Sequence, residues 1–408
     1  MKSMTIGLCA LVVYAAGARA QTPGPAPGEV QKQLQALQQQ MQQVIQDYQS
    51  QVKKLQDQID ALKAGQASAS VQTPVQGDQG SVPPIPSAPP SPALQNPAIS
   101  VLPDFTYSGG NDPYWKSQDA FQVREVELAF SAAIDPFATA NVYLSLEDGH
   151  LHAEEAYAAF PGLPGGFSMK VGKFYADFGK QNSMHTHTWF QADQPLALRT
   201  MLGDEGLNDV GVSVNHLLPT PWMSDLTVEV TGGRNSALFC GTRSDLAYNI
   251  AWRNFWDLCD NANLEAQLSL AGGKNATGHG TGLGNLSVTY RYKPLASGTR
   301  ASFLWRTEVI RENYRAMDGL TRSTGAFSYV DWQFTRGWFA GLRADYAEHP
   351  SDPRMHDKGG ALVLTYFPSE FQKVRLQYER IHYAGQGLRN AVVFEYGFAI
   401  GPHGAHPF

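Results

Sequence analysis

Residues 141–147 read Asn-Val-Tyr-Leu-Ser-Leu-Glu, and every second position of this run is an aliphatic side chain. The same alternation returns in residues 226–231, 286–292 and 374–379. A period of two indicates β-strands that have one apolar and one polar face. Because these runs approach about ten residues and their polar faces carry charges, they are typical of strands that cross a membrane in a β-barrel.

Counting such runs gives about sixteen antiparallel strands between residues 101 and 400, an even number as bacterial barrels require. The strand near residues 101–109 has the weakest pattern, and without it the number would be odd. We expect short turns at the periplasmic end of the barrel and longer links at the other end. The longest link is residues 178–206, and it falls at that other end.

The chain before the barrel divides into three segments. Residues 1–20 combine Lys2, an apolar run and an Ala-Arg-Ala site, which together predict a signal peptide. Residues 29–64 carry apolar side chains three and four apart from Leu34 to Leu62, which predicts a periplasmic coiled coil and hence a homotrimer or another homo-oligomer. A lone amphipathic helix is the alternative. Residues 65–103 are rich in proline and predict a linker, leaving residues 104–408 for the barrel.

Composition excludes several classes of protein. The mean hydropathy of -0.30 is too low for a helical membrane protein, whereas a barrel hides its apolar face by alternation. A net charge of -6 argues against nucleic acid as a partner. An enzyme is not expected, since Ser183 beside His185 and His187 is the only local nucleophile–base pair and matches no known motif. No cofactor is predicted.

Several motifs resemble a known group of barrels. Val171-Gly172-Lys173-Phe174, Phe178-Gly179-Lys180 and Asp209-Val210-Gly211-Val212 resemble the strand–loop–strand pattern of the phosphate-selective porin O and P family. The runs 184–189, 202–207, 254–258 and 401–408 are similar to an uncharacterised group sometimes labelled zinc-regulated, or TonB-dependent, outer-membrane receptors. The resemblance covers roughly residues 105–408 and implies a barrel in the bacterial outer membrane, in contact with its lipid.

The end of the chain also carries a signal. Val392, Phe394, Tyr396 and Phe398 alternate in the last predicted strand, and the chain stops at Phe408. A terminal aromatic residue resembles the signal read by the outer-membrane assembly machinery, which we therefore expect as a partner.

The polar phase of the strands should line the lumen, because a charge facing lipid at the midplane costs about 2 to 4 kcal/mol for Arg or Lys. Acids dominate the early strands, whereas Arg and acid neighbours dominate the later ones. A phosphate channel would need an unbroken cationic track, and none is visible. The candidate pore residues on the strands are Glu125, Glu127, Arg306, Glu308, Arg343, Asp345 and Arg375.

Residues 178–206 form the most informative link, because long links without regular structure are usually functional or disordered and this one is rich in aromatic residues. We hypothesise that it folds into the barrel mouth as a constriction. Arg199 opposite Asp204 and Glu205 would set a transverse field, and His185 and His187 would make conductance sensitive to pH. His185 and His187 could also bind a metal ion, although solvated loop residues are the alternative.

Together these patterns predict a porin-like channel for passive diffusion of small hydrophilic solutes or ions. Two alternatives stay open: a receptor-transporter specific for a substrate or a metal, and a closed barrel whose Arg and Glu side chains brace the interior.

Overall fold

A computed structural model describes residues 97–402 except 116–118, 235–237, 241–244, 296 and 318, with backbone alone at residue 316. The predicted signal peptide, the coiled coil and most of the linker lie outside the described residues. The same holds for the end of the chain from residue 403.

Sixteen strands make up most of the described chain, as the alternation predicts. They are β1 (Ala98–Gly110), β2 (Ala120–Asp135), β3 (Ala138–Glu147), β4 (His150–Leu163), β5 (Phe167–Tyr175), β6 (Asn208–Leu217), β7 (Met223–Thr231), β8 (Ala247–Cys259), β9 (Ala262–Lys274), β10 (Gly280–Tyr292), β11 (Ser302–Ala316), β12 (Gly319–Thr335), β13 (Trp338–His349), β14 (Asp352–Ser369), β15 (Gln372–Tyr383) and β16 (Gly387–Phe398). A 3₁₀ turn at Thr186–Thr188 and one helix, α1 (Leu196–Leu202), lie between β5 and β6.

The strands form one closed antiparallel barrel in which each strand pairs with its neighbours in sequence, and β1 also pairs with β16. The strand with the weakest pattern is therefore the one that closes the barrel. It begins at Ala98, inside the segment predicted as linker, and it pairs with β16 from Asp104 opposite Gly397. Closure leaves no unpaired strand edge, which a barrel in lipid requires.

The prediction of short links at one end of the barrel holds for six of seven links, but the prediction of longer links at the other end is wrong for five of eight. At the end that carries the long link, which we call the loop end, only the links 111–119, 176–207 and 232–246 exceed five residues. At the opposite end, the turn end, the link 293–301 is longer than most. The residues expected in outer links instead extend strands: β12 has 17 residues and β14 has 18, more than the 9 to 11 that a crossing needs.

The two faces of the barrel differ as the alternation predicts. Large apolar side chains point outward, and Leu146, Leu286 and Leu376 are 40%, 49% and 50% exposed. Charged side chains point inward and are buried, Glu127 and Arg306 among them. The outward face therefore suits lipid. Among the described residues, no helix has both the length and the apolarity to span a bilayer.

The link 176–207, which we call the inner loop, folds into the barrel. The apolar side chains of its helix α1, among them Leu198, Met201 and Leu202, are buried against the inner wall of the barrel. The partners on the wall include Ile310 and Phe327. Leu238 and Phe239 from the link between β7 and β8 join the same cluster. One sector of the lumen is thus an apolar core and not an aqueous space.

Two glycines make room for this loop. A Cβ at Gly325 on β12 would lie 2.9 Å from the Cβ of Ala197 and 2.8 Å from the sulfur of Met201, so the bare backbone lets α1 approach the wall. Gly179 has a φ of +68°, which favours glycine, and a side chain there would collide with Glu308 and Asn285.

Ion pairs hold the middle of the inner loop. The guanidinium of Arg343 on β13 lies 2.7 Å from Asp193 of the loop and 2.6 Å from Asp345 of its own strand, and all three side chains are fully buried. Asp345 also accepts the backbone N–H of Leu196, at the start of α1. Burial alone would raise the pKa of Asp193, but the charge and the hydrogen bond of Arg343 hold it below its usual value.

This arrangement makes Arg343 a test of how the loop is held. We expect Arg343→Met to remove the close ion-pair partner of two buried carboxylates, Asp193 and Asp345, which costs about 3 to 5 kcal/mol. If that cost falls on loop opening, trypsin should cleave the loop at Arg199 about a hundredfold faster or more. Arg311→Met is the matched control. Arg311 is exposed, and among the described residues its side chain donates a hydrogen bond only to Thr324. Equal cleavage rates in the two variants would contradict this role.

Candidate pore constriction

A cavity of about 810 Å³ occupies the lumen toward the turn end of the barrel. Its wall includes Ser100 near the start of β1, Arg291 at the end of β10 and Lys373 at the start of β15. Residues 183–185 and 187–190 of the inner loop form the boundary toward the loop end. The cavity is therefore a vestibule below the inner loop.

The two histidines of the inner loop meet a group of carboxylates. His185 Nδ1 lies 2.9 Å from Glu154 Oε2 and 3.4 Å from Glu127 Oε2, and its Nε2 lies 2.9 Å from Glu155 Oε2. His187 Nδ1 lies 2.9 Å from the same Glu127 oxygen. One imidazole thus faces three carboxylates, and the second shares one of them. We call these five residues with Glu125 the acidic cluster.

The acidic cluster favours positive charge. Burial alone would lower the pKa of His185, but hydrogen bonds with Glu127, Glu154 and Glu155 raise it well above its usual value. The rings of Tyr143 and Tyr175 pack against His185 at 4.7 Å and 5.5 Å between centroids, which fixes the imidazole between the carboxylates.

Two β-bulges, one in β4 and one in β2, explain why adjacent charged residues lie close together on the inner face of the barrel. Tyr143 pairs with Glu155 while Leu144 pairs with Ala153, so Glu154 is an extra residue in β4. Both Glu154 and Glu155 can then reach His185, whereas strict alternation would send one of them toward lipid. In β2, Arg124 is skipped between the pairs made by Glu125 and Val123.

The acidic cluster reaches from the vestibule toward the loop end. Glu127, His185 and His187 line the cavity. Glu147, two residues beyond the partner of Glu127 on β3, ends its strand at the loop end and is exposed. In the sector of β2–β4, polar side chains therefore lie both at the vestibule and at the loop end, whereas the sector around α1 is apolar.

The neighbouring wall of the vestibule, formed by β15 and β16, carries cations that are already paired. Glu395 lies 2.6 Å from Lys373 and 2.8 Å from Arg375, and it also accepts a hydrogen bond from Arg124. Arg375 donates to the carbonyl oxygens of Trp189 and Gln191 in the inner loop. These cations therefore hold the inner loop by hydrogen bonds, and the carboxylate of Glu395 neutralises their charge.

The remaining candidate residues take different places. Arg306 lines the cavity and donates to Thr289, Gln181 and Tyr329. Glu308 is fully buried and accepts the backbone N–H groups of Lys180 and Gln181, so it anchors the first turn of the inner loop.

From the sequence we expect Arg199 opposite Asp204 and Glu205, but in the structure Arg199 has other partners. Arg199 lies over the ring of Tyr114 at 4.0 Å, donates to the hydroxyl of Tyr383 and approaches Asp193 at 4.0 Å. Asp204 and Glu205 are exposed at the loop end, and among the described residues no ion pair joins them to Arg199. Ser183 donates to the carbonyl oxygen of Lys180 and not to a histidine.

Sequence reasoning missed Arg124, Glu154, Glu155 and Asp193. The first three follow from the bulges, and their signal in the sequence is a pair of adjacent charged residues inside an alternating strand: Arg124-Glu125 and Glu154-Glu155. Asp193 has no comparable signal, since its role depends on where the loop meets Arg343.

Solved structures with the same fold are outer-membrane proteins. OprB of Pseudomonas putida has a TM-score of 0.53 at 9% identity and covers 75% of this chain and 94% of its own. The anion-selective porin from Comamonas acidovorans has a TM-score of 0.53 at 9% identity and covers 75% and 99%. The trimer form of OmpT, an outer-membrane protein of Vibrio cholerae, has a TM-score of 0.52 at 9% identity and covers 75% and 99%.

Sequence comparison gives a nearer relation. No family model matches the chain. An uncharacterized protein of Aquifex aeolicus (strain VF5) is 30% identical over 333 residues, which cover 71% of this chain and 70% of that protein. At this identity and coverage, the chain belongs to the same family as the uncharacterized protein of Aquifex aeolicus.

Proposed function

We propose that the protein is an outer-membrane porin-like channel for passive diffusion of small hydrophilic solutes or ions. The observation that carries this proposal is the vestibule of about 810 Å³ inside a closed barrel of sixteen strands. A barrel of this size is wider than its wall side chains can fill, and here an inserted loop narrows it. The fold shared with known porins supports the same function.

The route for solutes lies along β2–β4. The apolar cluster around α1 fills the facing sector, so the path past the acidic cluster offers polar side chains to water and ions. This arrangement favours a narrow pore over a wide one. Phosphate is disfavoured as the solute, because four cations of the vestibule are already paired: Lys373 and Arg375 share Glu395, and Lys180 and Arg291 share Glu265.

A trimer with a periplasmic coiled coil is the assembly we propose. One solved structure of the same fold is described as a trimer form. The heptad pattern of residues 29–64 supplies apolar seams that need partner helices. The aromatic residues of β16, among them Phe394 and Phe398, support recognition by the outer-membrane assembly machinery.

The first test of the function removes the constriction. We expect deletion of residues 184–200, with the ends joined by a short glycine linker, to raise single-channel conductance in planar bilayers several-fold. The reason is that these residues bound the vestibule and connect its walls. A wild-type protein without channels would support the closed barrel. A conductance that the deletion leaves unchanged would show that the loop does not limit flow.

The second test concerns selectivity. We expect the wild-type pore to prefer cations, and the double variant Glu125→Gln with Glu154→Gln to lose most of that preference. Reversal potentials across a salt gradient measure it, and salt should weaken it because charges are screened within about 10 Å at 0.1 M. Glu312→Gln is the control, since Glu312 is buried on the inner face as Glu125 is, but it lies on β11 and does not line the vestibule. Anion selectivity with block by phosphate would contradict the proposal.

The third test concerns assembly. Deleting residues 29–64 should leave a folded barrel of unchanged conductance that associates more weakly, because the apolar seam is lost. Molecular mass in mild detergent, measured by light scattering, distinguishes trimer from monomer. A full-length mature protein that is monomeric would contradict this assembly.

A further inference from the structure

The acidic cluster has a composition that a channel lining alone does not require. Three carboxylates, from Glu127, Glu154 and Glu155, lie within 3.4 Å of the imidazoles of His185 or His187, and a fourth, Glu125, is two residues from Glu127 on β2. Arg124 adjoins Glu125 in the sequence, but its guanidinium group forms ion pairs with Asp104 and Glu395, which lie outside the cluster. Even with both histidines protonated, negative charge exceeds positive charge in this buried site.

Buried carboxylate oxygens in this cluster lack hydrogen-bond partners. Glu125 is 2% exposed and Glu127 is 1% exposed. Both oxygens of Glu125 and the Oε1 oxygen of Glu127 have no hydrogen-bond partner among the described residues. Glu125 precedes Glu127 by two residues on β2, so both buried side chains lie on the inner face, and the carboxyl of Glu125 interacts electrostatically with those of Glu154 and Glu127. Unpartnered buried carboxylates are costly, and coordination of a cation is one of the few ways to satisfy them.

The donor atoms also have suitable spacing. The ligand atoms of Glu127, Glu154 and His185 all lie within 4.8 Å of one another. The consecutive separations from His187 Nδ1 through Glu127 Oε2 and His185 Nδ1 to Glu154 Oε2 are 2.9, 3.4 and 2.9 Å. Ligands about 2.1 Å from a tetrahedral metal ion lie about 3.4 Å from each other, so a small movement apart would admit an ion.

We propose that the acidic cluster is a binding site for one divalent transition-metal ion, held by His185, His187, Glu127 and Glu154, with Glu155 against the other nitrogen of His185 and Glu125 as a further carboxyl group beside the site. Imidazole nitrogen and carboxylate oxygen together suit zinc-like ions better than Mg²⁺ or Ca²⁺, which take oxygen ligands alone. Two ligands come from the inner loop and two from the barrel wall, so the ion would tie the loop to β2 and β4.

Binding at this site does not depend on conduction, so its test is separate from the test of the channel. Zn²⁺ is titrated into the full-length mature protein in detergent, against a chromophoric chelator and with Mg²⁺ in excess. We expect one Zn²⁺ per chain. Affinity should fall at least about tenfold in His185→Gln with His187→Gln, and in Glu127→Gln alone, because a ligand contributes at least as much as the outer groups that orient it.

The chain offers a matched control in His150 and His152. They have the same two-residue spacing, and both are exposed at the start of β4. Replacing both by Gln should leave Zn²⁺ affinity unchanged. Heat-modified migration on gels checks that each barrel is folded. Glu154→Gln is a further variant at a more exposed position, for use if Glu127→Gln fails to fold.

Three outcomes would overturn the site: no Zn²⁺ binding by the wild type, binding that survives loss of His185 and His187, or binding lost on replacing His150 and His152. If Zn²⁺ binds as expected in a protein that forms no channels, the metal site stands and the channel proposal falls. If channels form without Zn²⁺ binding, the opposite holds.

Discussion

The position of charge relative to lipid is the constraint on which the rest of this structure depends. A charged side chain at the membrane midplane costs several kcal/mol when it faces lipid, so the barrel turns its charges inward. There they lose water and need partners instead. Glu308 and Arg343 show the result, because each is fully buried and each binds a part of the inner loop.

The inner loop therefore supplies the partners that the buried groups of the barrel wall need. Its backbone N–H groups and carbonyl oxygens satisfy wall carboxylates and guanidinium groups, and α1 covers the apolar positions around Ile310 and Phe327. Because these contacts reach strands on several sides of the barrel, the loop divides the lumen into a vestibule and a filled sector. The same contacts place His185 and His187 against the acids of β2 and β4.

The two bulges give the acidic cluster its density. A regular strand presents one inward side chain per two residues, which limits how many charges can meet at one height of the barrel. The extra residue in β4 brings Glu154 beside Glu155, and the one in β2 brings Arg124 beside Glu125. Both bulges lie where the polar route passes the inner loop, so irregular strands coincide with the candidate constriction.

The sequence by itself determined the fold of this protein. Alternation and the cost of lipid-facing charge identified sixteen strands and the inward phase of residues such as Glu127 and Arg306, because both effects are local and repeat along the chain. The inward position of the inner loop also followed as a hypothesis, from its length and aromatic content. The positions of the strand ends were predicted less accurately, since β12 and β14 extend well beyond the residues that alternate.

Only the tertiary structure decided which residues meet. Asp193 reaches Arg343 across 150 residues of chain, and His185 reaches Glu154 across 31. No periodic pattern encodes such contacts, since they depend on barrel closure, on the bulges and on the path of a loop without strands. The sequence could mark Glu154-Glu155 as an exception to alternation, but the meeting of both carboxylates with one imidazole required the folded loop.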